Sequence, residues 1–179
     1  SKYEEVFESL FSELPEVNGV ERFTKTIDGI DGNKIKLYIH KPEKQKSNIP
    51  GILHIHGGGM SILKAKNPNY IRWRDDLAST GLIVVGVEFR NVAGELGSHP
   101  FPAGLNDCGS ALQWMYDNKD KLGVSKIIVS GESGGGNLTL ATTLKAKKDE
   151  KLFQIDGVYA QCPYISNEYH RNINYLPSL

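Results

Sequence analysis

The chain has 179 residues, about the length of one domain, with 39% hydrophobic and 23% charged residues, the profile of a globular protein. Lysine plus arginine and aspartate plus glutamate each number 21, so the formal net charge is +0 at pH 7. No basic surplus supports nucleic-acid binding, and no acidic surplus supports a solvating tail.

No run approaches the roughly 18 apolar residues of a membrane span. Glu4, Glu5 and Glu8 interrupt the apolar residues that a signal peptide would need. Cytoplasmic residence is the expectation, with a leader removed ahead of Ser1 left open. Cys108 and Cys162 are far apart and outside any CxxC arrangement. Two buried thiols in a reducing compartment are expected, with a disulfide or a metal site as the alternative. A chain of this length buries enough core to fold without either.

Residues 3–14 place Tyr3, Val6, Phe7, Leu10, Phe11 and Leu14 at helical spacing, predicting a short amphipathic helix that Pro15 and Gly19 end. Residues 1–20 are therefore read as an N-terminal helical segment. Two strands follow at 21–27 and 34–40, joined by the Asp31-Gly32-Asn33 turn. A polar, exposed loop is predicted over 41–48. From Pro50 buried strands and helices alternate: a strand at 52–55, a helix at 70–80 stopped by Gly81, and a strand at 82–89. Leu105, Cys108, Leu112 and Met115 then mark a long helix ending near Gly123. A strand at 127–130, a helix at 137–148 and a strand at 157–162 complete the pattern. Three lysines sit near the negative end of that last helix. This alternation predicts an α/β fold, a mostly parallel doubly wound sheet with helices on both faces. Ligands in such folds bind at the carboxyl ends of the strands.

Two glycine-rich motifs fall at such ends. Gly131-Glu132-Ser133-Gly134-Gly135 has the form G-x-S-x-G between a buried strand and a helix, the context that a nucleophile elbow requires. The turn is sharp enough that side chains two positions either side of the serine would collide with neighbouring elements. A plain glycine-rich turn or a phosphate loop is the competing reading, but the spacing matches neither G-x-G-x-x-G nor a P-loop. His56-Gly57-Gly58-Gly59 directly follows the 52–55 strand. Taken alone it also allows a flexible loop, as the lesser reading. Paired with the elbow, it predicts an oxyanion hole made by the N–H groups of Gly58, Gly59 and Gly134. In other hydrolases such a donor lowers the barrier by about 3–4 kcal/mol. Ser133 is then the nucleophile, and His56 braces the glycine loop rather than acting as a base.

These motifs resemble the hormone-sensitive-lipase branch of the α/β-hydrolase esterases, with its HGGG and GDSAGG-type signatures. Glu88-Phe89-Arg90, His99-Pro100-Phe101-Pro102-Ala103 and Asp107 resemble a further segment of that family, so the likeness runs from about Ile52 to Pro163. The sequence departs from the pattern at Glu132 and Gly134, where Asp and Ala are commoner, and in a longer 91–98 loop that would reshape the acyl pocket.

The resemblance implies a serine carboxylesterase acting on short or medium acyl esters, without metal or cofactor, as a monomer or homodimer. It places the triad acid and histidine beyond residue 179. After Ser133 the chain offers only His170 as a histidine, with Asp149, Glu150, Asp156 and Glu168 as carboxylates. His170 comes too early in the family order to be the base and is read as a surface or lid residue. Residues 21–179 are accordingly expected to be the N-terminal part of a catalytic domain, almost inactive alone. The C-terminal half is then a candidate partner chain. A hydrolase-fold receptor that has lost its histidine, and an amidase or acyltransferase, stay open as rival readings.

Overall fold

The computed structural model describes residues 2–12, 14–44, 48–93 and 95–165. A first helix, α1 (Lys2–Ser12), is followed by strands β1 (Val20–Asp28), β2 (Lys34–Pro42) and β3 (Ile49–Ile55). Helix α2 (Pro68–Ser79), strand β4 (Ile83–Glu88), helices α3 (Ala103–Asp117) and α4 (Lys119–Leu122), and strand β5 (Val124–Glu132) come next. Helix α5 (Gly134–Lys148), a 3₁₀ turn over Leu152–Gln154, and strand β6 (Gly157–Gln161) complete the described elements.

The strands form one sheet in the order β1-β2-β4-β3-β5-β6. Pairings β3–β4, β3–β5 and β5–β6 are parallel, whereas β1–β2 and β2–β4 are antiparallel. The expected mostly parallel sheet is thus present, with an antiparallel hairpin at one side. That hairpin closes where the Gly29 amide donates to the Asn33 carbonyl at 2.7 Å and Gly32 takes φ 77°.

Several boundaries differ from the sequence reading, each for a local reason. Strand β2 runs on to Pro42, because Val20 and Glu21 still pair with it there. Strand β3 starts at Ile49, across a bulge between Ile49 and Gly51. The single long helix ending near Gly123 is two helices. Asn118 leaves the helical conformation between them, at φ −109° and ψ 9°, while its side-chain nitrogen donates to the Trp114 carbonyl at 2.8 Å. Gly123 then closes α4 in the left-handed conformation at φ 77°. Both thiols are free, but only Cys108 is buried; Cys162, just past the edge strand β6, is exposed, which corrects the expectation of two buried thiols.

Side-chain alternation divides the sheet into two unlike faces. Ile35, Leu37 and Ile39 of β2, Leu53 and Ile55 of β3, and Val85 and Val87 of β4 pack with Cys108, Leu112 and Met115 of α3 and Leu138 of α5. This face is a dry apolar core. On the other face, beneath α2, lie Tyr38, His40, His54 and Glu88, together with Arg74 and Asp75 from α2 itself. Arg74 is completely buried. Its Nε donates to His40 Nε2 at 3.0 Å, and a terminal nitrogen donates to the Ala65 carbonyl at 2.7 Å. Gly86 leaves the room, since a Cβ there would stand 2.8 Å from the guanidinium. Burial pulls the Arg74 pKa down to about 10, against the opposing fields of Glu88 and Asp75.

Because His40 Nε2 accepts from Arg74, its proton sits on Nδ1, which donates to Asp75 at 2.7 Å. Asp75 also receives the guanidinium of Arg22, at 2.8–2.9 Å. Burial and the nearby Arg74 charge pull the His40 pKa down to about 4, although Asp75 favours the charged form. His40 is therefore neutral at pH 7.

Two predictions follow from this polar layer. Arg74→Met leaves His40, Ala65 and Glu88 without their partner, and should cost about 3–5 kcal/mol in urea unfolding; a loss under about 1 kcal/mol would contradict the role given to Arg74. The depressed His40 pKa means that the unfolded chain binds its proton near pH 6.5, whereas the folded chain waits until about pH 4. Stability attached to His40 is therefore complete above pH 6.5 and falls by about 1.4 kcal/mol per pH unit on acidification through that window. Measured against the parent, His40→Gln should gain relative stability with that slope between pH 6.5 and 4; a constant difference would contradict the assignment.

Candidate active site

Strand β5 ends at Glu132 and α5 begins at Gly134, leaving Ser133 alone to make the turn. It does so at φ 52°, ψ −117°, a left-handed backbone that costs a non-glycine residue about 1–3 kcal/mol. Neighbours hold it there. The Ser133 amide donates to the Gln161 carbonyl of β6 at 3.0 Å, and its carbonyl accepts from Asn137 at 3.0 Å and Tyr164 at 2.9 Å.

The flanking glycines are demanded by backbone packing. A Cβ on Gly131 would lie 2.5 Å from the carbonyl oxygens of Gly135 and Ile55, and one on Gly135 would meet the carbonyls of Ile55 and His56. The helix consequently starts three residues earlier than its composition predicts, through Gly134, Gly135 and Gly136. Helical geometry leaves the first N–H groups of α5 without partners inside the helix.

Directly opposite stands the loop after β3. Gly58 and Gly59 have φ 99° and 62°, and the Gly58 carbonyl accepts from Ser61 and Ile62 at 3.0 and 3.1 Å. A Cβ on Gly134 would come within 2.7 Å of the Gly59 nitrogen and 2.9 Å of the Met60 nitrogen. The two glycine turns therefore abut, as strands β3 and β5 are neighbours in the sheet. His56 Nδ1 donates to the Gly57 carbonyl at 2.8 Å, and its ring stacks on Phe89 at 4.3 Å. Burial pulls its pKa down to about 3. A neutral, enclosed imidazole whose donor is already engaged holds a loop; it is a poor proton acceptor.

Glu132 turns back under the same loop and accepts the Gly57 amide at 2.6 Å. Burial pushes the Glu132 pKa upward, against the Tyr70 hydroxyl of α2, which favours the charged form. His54 Nε2 is 3.7 Å from the other carboxylate oxygen. The His54 ring faces Tyr70 and Trp73, and burial drives its pKa well down.

Ser133, Glu132, Gly57 and Gly58 open on a cleft of about 930 Å³ whose other walls include Phe11, Ile62, Leu63, Tyr70, Trp73 and Leu77. Such a mouth, mainly apolar with Asn69, Arg72, Asp76 and Thr80 also on its walls, fits a small ligand with an apolar tail. A second hollow of about 400 Å³ is lined by Gln113, Lys145 and Asp149. It lies at the far end of α5, about 22 Å along that 15-residue helix from Ser133.

The loop after β4 supports the cleft. Arg90 grips Asp107 of α3 with two nitrogens at 2.9 Å and reaches Asp31 at 2.5 Å. Asn91 then donates to the Leu63 carbonyl at 2.9 Å, and the Val92 amide donates to the Met60 carbonyl at 2.8 Å. Lys64 and Glu95 pair across the same junction.

The structure gathers His56, Gly57, Gly58, Gly59, Gly131, Glu132, Ser133, Gly134 and Gly135 into one place. It does not bring Asp149, Glu150 or Asp156 there. The first two follow the far end of α5, and Asp156 caps the Ile127 amide at 2.8 Å. His170 and Glu168 lie outside the described residues. Tyr70, Trp73 and His54 were missed as site residues. Their helical or strand spacing reads as core.

Comparison with known proteins accords with this geometry. The BD-FAE family model matches residues 37–175. Carboxylesterase NlhH of Mycobacterium tuberculosis is 34% identical over 128 residues, covering 70% of this chain and 38% of its own. Tuliposide A-converting enzyme b1 of Tulipa gesneriana is 30% identical over 132 residues, covering 67% of this chain and 34% of its own. Among solved structures, a brefeldin A esterase described as a bacterial homologue of human hormone-sensitive lipase superposes with a TM-score of 0.91 at 45% identity. It covers 97% of this chain and 48% of its own. Esterase Est22 gives 0.85 at 38% identity, covering 92% and 50%. The chain thus spans about half the length of these structures, and less of the two sequence relatives. It has the α/β-hydrolase fold, its likeness to the hormone-sensitive-lipase branch holds at the level of structure, and it belongs to the BD-FAE family.

Proposed function

We propose that this chain supplies the nucleophile and oxyanion site of a serine carboxylic-ester hydrolase acting on short or medium acyl esters. The observation that carries the reading is Ser133, held at φ 52° at the start of α5 with Gly134 packed against Gly59. Esterase activity in the relatives agrees with it.

The chemistry runs through Ser133 Oγ, which bonds to the ester carbonyl carbon as its proton passes to a histidine base. The carbonyl oxygen becomes an oxyanion facing the N–H groups of Gly58, Gly59 and Gly134, beside the positive end of α5. The ester C–O bond then breaks, and the alcohol leaves with the proton that the histidine held. Water next attacks the acyl-serine, again through the histidine, releasing the carboxylic acid and restoring Ser133. The base and its carboxylate come from outside the described residues. His40 and His56 are both engaged and neutral, and neither serves. Phe11, Ile62, Leu63, Trp73 and Leu77 receive the apolar part of the substrate, with α1 as one wall of the cleft.

The full-length protein should take up an alkyl fluorophosphonate at Ser133 and hydrolyse p-nitrophenyl butyrate. Ser133→Ala should lose the label and at least about a thousandfold in rate. No label on the folded parent, or a Ser133→Ala variant as fast as the parent, would refute the assignment. An unlabelled but stably folded protein that binds a small molecule is the outcome expected of a receptor.

A further inference from the structure

Glu132 is held by a set of contacts that reach beyond the elbow. It immediately precedes the nucleophile in the chain, yet its side chain leaves the elbow and meets the start of the opposite loop, where Oε1 accepts the Gly57 amide at 2.6 Å. A short bond from an amide to a carboxylate is about twice as strong as one between neutral groups. The approach leaves no slack, for a Cβ on Gly57 would stand 2.7 Å from that oxygen and 3.3 Å from the Tyr70 hydroxyl. The Tyr70 hydroxyl of α2 stands beside Gly57 with Oε1, and His54 flanks Oε2 at 3.7 Å from β3. The side chain is only 15% exposed. Keeping a carboxylate there costs desolvation free energy, so its partners must be fixed.

Gly57 has its other backbone polar group taken as well: its carbonyl accepts from His56 Nδ1. The Gly57 carbonyl shares one planar peptide unit with the Gly58 N–H, so tying both polar groups of Gly57 fixes the direction from which the Gly58–Gly59 turn starts.

We propose that Glu132 is a positioning residue. Through the Gly57 amide it sets where the Gly58 and Gly59 N–H groups stand relative to Ser133 Oγ, so that one side chain ties the nucleophile turn to the oxyanion loop. This rests on the esterase reading above. What the position requires is an acceptor oxygen at the reach of a glutamate. A negative charge beside a developing oxyanion brings no benefit.

The test compares two near-isosteric variants of the full-length protein, with p-nitrophenyl butyrate as substrate. Glu132→Gln keeps the acceptor and should lose no more than about fivefold in kcat. Glu132→Met fills the same space without an acceptor and should lose about 100-fold in kcat with KM within twofold, the size of effect expected when an oxyanion donor is misplaced. Equal kcat in the two variants, or a loss confined to KM, would overturn the proposal while leaving the esterase reading intact. A folded parent without ester hydrolysis or fluorophosphonate label would instead overturn both. Amide hydrogen exchange of Gly57 gives a readout independent of activity. It should be slow in the parent and in Glu132→Gln; exchange in the parent as fast as in an open loop would overturn the proposal even if Glu132→Met failed to fold.

Discussion

Two backbone turns at the ends of adjacent parallel strands occupy nearly the same space, and the site depends on that crowding. Strands β3 and β5 run side by side, and their exits, 56–59 and 131–135, touch through main-chain atoms. Gly131 and Gly135 have no room for a side chain against the Ile55 and His56 carbonyls. Gly134 has none against the Gly59 and Met60 nitrogens. Only glycine permits such contact, and only such contact puts the N–H groups of one turn beside the serine of the other. The strain at Ser133 is part of the same arrangement, carried by hydrogen bonds to β6 and to the first turn of α5. In the proposed reaction, donors held in this way need no rearrangement when charge develops.

The buried polar layer beneath α2 gives the crowded turns a rigid support. Arg74 and Glu88 both hold Ala65, one through its carbonyl at 2.7 Å and the other through its amide at 3.0 Å. Asn91 holds Leu63, and Glu132 and His56 hold Gly57. The segment from Gly57 to Ala65 is therefore pinned at several points by groups that are themselves buried. Buried charge is a poor source of net stability, because desolvation offsets much of the attraction. Its benefit here is geometric: each backbone group of this segment that is bonded to a buried side chain has few other positions in which that bond survives.

Much of this was legible in the sequence because the signals were local and agreed with one another. The apolar alternation of Ile35, Leu37 and Ile39 places the inner face of β2, and G-x-S-x-G between a strand and a helix places the elbow. Other features turned on tertiary context. Helix α5 begins inside a glycine run that propensity rejects, since close approach to β3 outweighs about 1 kcal/mol of lost propensity per glycine. The α3–α4 break falls at Asn118, whose backbone leaves helical dihedrals, and spacing does not reveal it. Cys162 is exposed because β6 is the outer strand of the described sheet. The polar face was the least legible. His54 sits in what reads as a continuous apolar strand, and nothing in the pattern of α2 says that Arg74 and Asp75, rather than Arg72 and Asp76, are the buried pair.

The central claim is that the N–H groups of Gly58, Gly59 and Gly134 converge on one oxygen bound to a group on Ser133. A crystal structure of the full-length protein carrying a phosphonate adduct tests it most directly. Phosphorus should stand on Ser133 Oγ, with one phosphonyl oxygen about 2.7–3.1 Å from the Gly134 nitrogen and from at least one of the Gly58 and Gly59 nitrogens. An adduct on another residue, or a phosphonyl oxygen turned to solvent with those N–H groups pointing elsewhere, would contradict it.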